Sequence, residues 1–195
     1  MKKTVLATSL LAASFGVFAN DLSPAVSVAI GSNEYTHIKA GLVKPNPLEN
    51  TTSMYYLSTK TIGNTSWPGD AKYATYRLGA EVTGMLGERS SILNFYVYSN
   101  DTDLAFFNKE GVGIGFGVTG DSEKLQPYLY GEFNFEFLST DWQKVDLEYN
   151  LQSGIDYSFN KHFGVGVFVE HQGYSASSLF NDTYTSAGLK LKLKM

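Results

Sequence analysis

The last nine residues read Ala187-Gly188-Leu189-Lys190-Leu191-Lys192-Leu193-Lys194-Met195. Ala187, Leu189, Leu191, Leu193 and Met195 alternate with Gly188, Lys190, Lys192 and Lys194. Successive side chains of a strand point to opposite faces, so an extended chain has one apolar and one cationic face here. Wound at about 3.6 residues per turn, the same residues would spread leucine and lysine around the whole rod. The stretch is therefore read as a strand, beginning near Tyr184. Because it is the last, it is read as the strand that closes a sheet.

The same two-residue rhythm recurs upstream. Candidate strands fall at 24–31, 35–43, 51–62, 72–84, 91–99, 111–119, 126–138, 145–159, 163–174 and 184–195. Leu93, Phe95 and Val97 oppose Asn94, Tyr96 and Tyr98; Phe133, Phe135 and Phe137 oppose Glu132, Asn134 and Glu136. In 51–62 the run Met54-Tyr55-Tyr56-Leu57 breaks the alternation, and its facing stays open. The polar faces collect charges of both signs: Lys39, Arg77, Glu81, Glu132, Glu136, Asp146, Glu148, Asp156, Glu170, Lys190 and Lys192. Gly111, Gly113, Gly115 and Gly117 also fall on a polar face, leaving room for long side chains reaching over from strands across a narrow interior. An eight-stranded arrangement keeps the same parity if two weak early strands drop out.

Residues 1–19 read as a secretory signal: Lys2 and Lys3, an apolar stretch, and Val17-Phe18-Ala19 before a cleavage point. Residues 20–195 then form one domain. The chain has no cysteine, so an exported domain must be held by hydrogen bonding and packing. Without Lys2 and Lys3 the fifteen basic residues become thirteen against nineteen acidic ones, which argues against nucleic acid as a partner. A mean hydropathy of −0.14 is compatible with a membrane barrel, in which only every second residue is apolar. No uninterrupted run beyond the leader is long enough for a membrane-spanning helix.

The connections differ by rim. One set, 44–50, 84–90, 120–125 and 160–162, is mostly short. The other, 63–71, 100–110, 139–144 and 175–183, is mostly longer and polar, although 32–34 on that rim is short. Alternating strands, an even strand number and unequal rims resemble the small outer-membrane β-barrels of Gram-negative bacteria, of the OmpA transmembrane-domain, OmpX and opacity type. The likeness covers the whole mature chain and is one of architecture. Those barrels end in an aromatic residue; Met195 departs from that.

The resemblance implies an all-β, closed, antiparallel up-and-down transmembrane barrel in the outer membrane. It implies contact with outer-membrane lipid and lipopolysaccharide, and recognition of the closing strand by the barrel-assembly machinery. It also implies a structural or surface-interaction role with an unspecified surface ligand. The apolar faces would turn outward, with aromatics such as Trp142, Tyr157, Phe159 and Phe163 near the strand ends. The charged faces would meet inside, where eight to ten strands leave a lumen roughly filled by side chains. A soluble lipocalin-like carrier is the inverse arrangement, with the apolar faces inward around a ligand.

Candidate chemistry is sparse. His171 continues the outward phase of Val165, Val167 and Val169 to the long-loop rim, as in outer-membrane lipid A deacylases. Those carry Ser two residues after the His; here Gly173 stands there, leaving Ser175 as the nearby hydroxyl. No cofactor is expected, and no His/Asp/Glu spacing suits zinc. Asp101, Asp103 and Glu110 are read as a solvated acidic stretch. The apolar residues Trp67, Phe106, Phe107, Leu179 and Phe180 fall in the long loops as candidate contact tips.

Overall fold

Each strand here is built from side chains that want opposite environments on alternate positions, and a closed ring of strands supplies both. The computed structural model describes residues 22–46, 50–63, 72–86, 89–102, 109–120, 122, 124–138, 147–176 and 180–195. They form β1 (Ser23–Gly31), β2 (Thr36–Asn46), β3 (Thr51–Ile62), β4 (Tyr73–Leu86) and β5 (Arg89–Thr102). Then come β6 (Lys109–Thr119), β7 (Leu125–Leu138), β8 (Leu147–Ser158), β9 (Phe163–Ala176) and β10 (Phe180–Lys194). Each strand pairs antiparallel with its sequence neighbours, and β10 pairs with β1, so the barrel is closed with all ten strands.

Closure runs from Ala25 opposite Lys194 to Gly31 opposite Gly188. The Met195 amide donates to the Pro24 carbonyl at 2.8 Å, and the Lys194 amide to the His162 carbonyl at 2.8 Å, tying the end of the chain to both neighbours. One walk around the ring passes Pro24, Leu42, Tyr55, Ala80, Phe95, Ile114, Phe133, Tyr149, Gly173 and Thr183. Thr183 stands twelve residues along β10 from Met195, the residue opposite Pro24, so the ring closes with a stagger of about 12 residues. Such stagger tilts the strands and brings side chains from distant strands to the same depth.

The facing follows the alternation. Leu78, Phe95, Phe133 and Leu189 point outward and are half exposed or more, whereas Arg77, Asn94, Glu132 and Tyr96 point inward and are buried. The inward-apolar arrangement of a soluble carrier is therefore not built. Of the 51–62 segment, Tyr56, Ser58 and Lys60 face in while Tyr55 and Leu57 face out. At one rim Tyr157 lies edge-on to Phe159 at 5.0 Å, and Phe159 stacks on Phe163 at 5.2 Å, as a patch of outward aromatics. Trp142 lies outside the described residues.

The strands run further than the apolar alternation does. Asn100 to Thr102 belong to β5 and Lys109 and Glu110 to β6, where a loop is expected from their polarity. Ser175 belongs to β9 and Phe180 to β10, which corrects the placement of Phe180 at a loop tip: it pairs with Ala176. Ladder hydrogen bonds do not require apolar side chains, so a hairpin continues while its backbone groups still find partners. The β1–β2 connection, Ser32–Tyr35, carries positive φ at both Asn33 (59°) and Glu34 (53°), and the Tyr35 amide donates to the Ser32 carbonyl at 3.2 Å. Two left-handed central residues define the hairpin turn whose twist matches that of its strands.

The glycine stripe of β6 packs against tyrosines of the adjacent strands. Gly113 is paired with Tyr96 and Gly111 with Tyr98 on β5, while Gly117 is paired with Tyr130 on β7. This differs from the expectation of side chains from across the interior. The rings occupy the space a side chain on the neighbouring glycine would need. A methyl group on Gly113 would meet the Tyr96 ring at 2.1 Å, whereas one on the outward Gly131 would meet nothing closer than 3.9 Å. Gly113→Val is expected to lower the denaturant midpoint for refolding into micelles, by roughly 1–3 kcal/mol of stability, with Gly131→Val unchanged. Equal midpoints for the two variants would show that the ring does not depend on the missing side chain.

Candidate functional site: the charged lumen

Inward positions on ten tilted strands converge on one narrow space, so charges far apart in sequence become neighbours. Among the described residues, five carboxylates are ion-paired there. Near the long-loop rim, Glu148 lies 3.1 Å from Lys109 Nζ and accepts from Tyr73 OH at 2.7 Å and Gln172 Nε2 at 2.8 Å. Beside it, Lys60 Nζ donates to Glu170 Oε1 at 3.0 Å and to Gln172 Oε1 at 2.6 Å. Glu170 Oε2 also accepts from Tyr35 OH at 2.9 Å and Gln152 Nε2 at 2.8 Å, and Tyr184 OH donates to Gln172. Tyr35, Lys60, Gln172, Glu148 and Glu170 are among the largest fully buried side chains. Burial, and then the Glu170 charge, push the hydroxyl of the turn residue Tyr35 well above the ordinary tyrosine range, so it stays a donor.

Deeper along the axis, Arg77 Nη1 donates to both oxygens of Glu132, at 2.9 and 2.8 Å. Tyr130 OH and Asn150 Nδ2 add bonds to the same carboxylate at 3.0 and 3.3 Å, and the Arg77 guanidinium lies 4.5 Å from the Tyr96 ring centre. Towards the short-turn rim Lys39 pairs with Glu81 at 2.6 Å. Asp156 there receives both Lys190, at 3.0 Å, and Lys192, at 2.5 Å. Lys190 also donates to Tyr128 OH at 2.9 Å.

This half of the lumen is not filled. A cavity of about 460 Å³ opens at the short-turn rim and reaches inward as far as Arg77 and Glu132. Its wall includes Lys39, Tyr56, Glu81, Tyr128, Asp156 and Lys190. The rim tyrosines, lysines and carboxylates of the long-loop half, such as Tyr73, Lys109 and Glu148, do not line it.

Of the residues singled out in the sequence, Lys39, Arg77, Glu81, Glu132, Glu148, Asp156, Glu170, Lys190 and Lys192 lie in these clusters. Lys192 is the most open of them, with a side chain 45% exposed. Glu136 sits half-buried on the inward face of β7, and Asp146 lies outside the described residues. So do Trp67, Phe106, Phe107, Leu179 and Asp103. Lys60 and Lys109 escape the sequence reading, because one sits in the segment of broken alternation and the other in an apparent loop. The signal for Lys60 was its two-residue phase with Tyr56 and Ser58.

His171 faces outward near the long-loop rim. Its Nδ1 lies 3.0 Å from Thr185 Oγ1, and its ring centre 6.1 Å from that of Tyr149. Ser175 continues along β9, four residues further, which is roughly 13 Å at a strand's rise. An extended strand does not curl it back to the imidazole.

No protein-family model and no curated protein matches the chain. Among solved structures, a chain from "De novo design of transmembrane beta-barrels" is similar at 13% identity and TM-score 0.39, over 92% of this chain and 100% of that one. The translocator domain of the autotransporter NalP from Neisseria meningitidis is similar at 10% identity and TM-score 0.40, over 100% of this chain and 95% of that one. Likeness at that level carries nothing about activity. The class defined by the geometry itself is a closed ten-stranded antiparallel barrel with an ion-paired interior.

Breaking one buried pair leaves its partner's charge stranded, which typically costs about 3–5 kcal/mol. Arg77→Met alone is expected to destabilise the barrel by that order, read as a lower denaturant midpoint. Arg77→Met with Glu132→Gln is expected to recover most of the loss. A double variant no better than the single one would mean the two groups are not coupled.

Proposed function

We propose that this chain is an integral outer-membrane β-barrel, exported by residues 1–19, with a lumen closed by side chains in its long-loop half. Its role on this reading is structural or adhesive at the cell surface, through the long loops. The observation that carries the reading is the facing. Between Lys44, Arg89, Asp101 and Glu110, which hold outward-phase positions near the rims, the described outward positions carry no Asp, Glu, Lys or Arg. The ion pairs among the described residues lie on the inward side. A soluble barrel would leave that outer band in water, where a contiguous apolar surface of such extent is an association hazard. Hydrocarbon reverses the preference, and it tolerates a sheet only when no edge is left unpaired, as here.

The long-loop half supports a non-conducting lumen. Lys60, Glu148, Glu170 and Gln172 are held by multiple bonds with almost no exposed surface, so solutes meet packed side chains instead of water. Planar-bilayer recordings of the full chain are expected to show no steady open level, and cell fractionation is expected to recover it with outer membranes, with heat-modifiable migration on gels. Recovery in the soluble periplasm would overturn the membrane reading, and a stable conductance would overturn the closed lumen.

The contact between His171 and Thr185 favours one second reading, a lipid-modifying activity on the outer face. A hydroxyl within reach of an imidazole is the minimum for general-base activation. No carboxylate bond to the other ring nitrogen accompanies it among the described contacts. The surface-barrel reading expects His171→Ala to leave the mass spectrum of lipid A unchanged. Loss of a modification in that variant would transfer the assignment to the enzyme.

A further inference from the structure

We infer that the open half of the lumen is a binding site for a small anion of the phosphate class. The cavity is a cup whose floor is the Arg77–Glu132 pair and whose mouth lies at the short-turn rim. Its wall carries Lys39, Arg77, Lys161, Lys190, Lys192 and Lys194 against only Glu81, Glu132 and Asp156. That is six cations facing three carboxylates, inside a chain whose formal net charge is −4. The excess is thus local to the cup and opposite in sign to the molecule.

The pairing shows where the excess sits. Glu81 is engaged by Lys39 and Glu132 by Arg77, one cation to each carboxylate. Asp156 alone serves two ammonium groups, Lys190 and Lys192. That corner is one anion short of neutrality. Arg77 Nε and His37 Nε2, both buried and both on cavity residues, have no hydrogen-bond partner among the described residues; Asp156 Oδ1 has none either, since Lys190 faces it as an ion pair at 3.0 Å. Lys161 and Lys194 stand exposed at the mouth, where they draw anions inward.

A cleft with one sign of charge and low-dielectric walls concentrates the opposite ion. Ammonium groups act as point charges with three rotatable donors, which suits a tetrahedral dianion approached from several strands. The volume, about 460 Å³, lies within the usual range of small-molecule sites, so a phosphate ester also fits above the floor. The site lies inside the barrel and does not depend on which solvent covers the outside. Fractionation tests that reading and anion titration tests this one.

The test is calorimetric titration of the full chain, in uncharged micelles, with inorganic phosphate and separately with acetate. Saturable one-site binding of phosphate is expected, tighter than that of acetate. Lys190→Gln and Lys192→Gln are each expected to weaken it about tenfold, the size of one charge-assisted hydrogen bond. Lys72→Gln, at the opposite rim, is expected to leave it unchanged. Heat-modifiable migration reports whether each variant folds; if Lys190→Gln does not, the exposed Lys194→Gln is expected to weaken binding severalfold. Absence of saturable binding at millimolar phosphate, equal affinity for acetate, or an equal loss in Lys72→Gln would each overturn the proposal.

Discussion

Everything in this molecule depends on the backbone pairing of β10 with β1. A row of strands with two free edges leaves unpaired amides and carbonyls along both, and the ring removes them. Closure also decides what alternation means. In an open sheet the lysines of β10 would face water on one side and the leucines a helix or a second sheet on the other. In a ring, one face has a concave, crowded inside and the other an unlimited outside. Lys190 and Lys192 are inside because β10 is curved into a circle, and once inside they need a carboxylate, which Asp156 supplies from β8.

Crowding then selects residue types at the inner wall. Tyrosine is the dominant filler: Tyr35, Tyr56, Tyr73, Tyr96, Tyr98 and Tyr184 are all buried. A phenol supplies ring area for packing and a hydroxyl that reaches a carboxylate or amide, as Tyr73 does with Glu148 and Tyr96 with Asn134. The glycines of β6 make room for these rings against the wall, which keeps the axis available for Arg77, Lys60 and their partners. Small residues on one strand and large ones on its neighbours are two halves of a single packing solution.

The lumen is uneven along its length. At the long-loop end, Gln172 bridges Glu148 and Lys60, so two ion pairs become one hydrogen-bonded network. At the short-turn end, Lys39–Glu81 and the Asp156 cluster line a space and do not fill it. Buried ion pairs are weak evidence of net stability, because desolvation offsets much of their attraction. Their more secure consequence is specificity of register. A slip of one residue in any strand would carry its charges to the apolar outside, and a slip of two would separate each carboxylate from its cation.

The sequence by itself determined most of the strands and which face of each was polar, because the two-residue period is a local property that a segment displays alone; it left eight or ten strands open, and the facing of 51–62, until closure decided both. Leu189 to Leu193 and Gly111 to Val118 could be read without knowing their neighbours. It did not determine where strands stop, since Ser175, Phe180 and Lys109 are held in ladders by pairing and not by their own side chains. Nor did it determine partners. That Arg77 meets Glu132, or Lys60 meets Glu170, follows from the stagger of the closed ring, a sum over ten registers that no single segment encodes. The open cup and its cationic excess belong to the same class: they exist only because tilt brings β1, β2, β8 and β10 to one depth, where lysines outnumber the acids that could neutralise them.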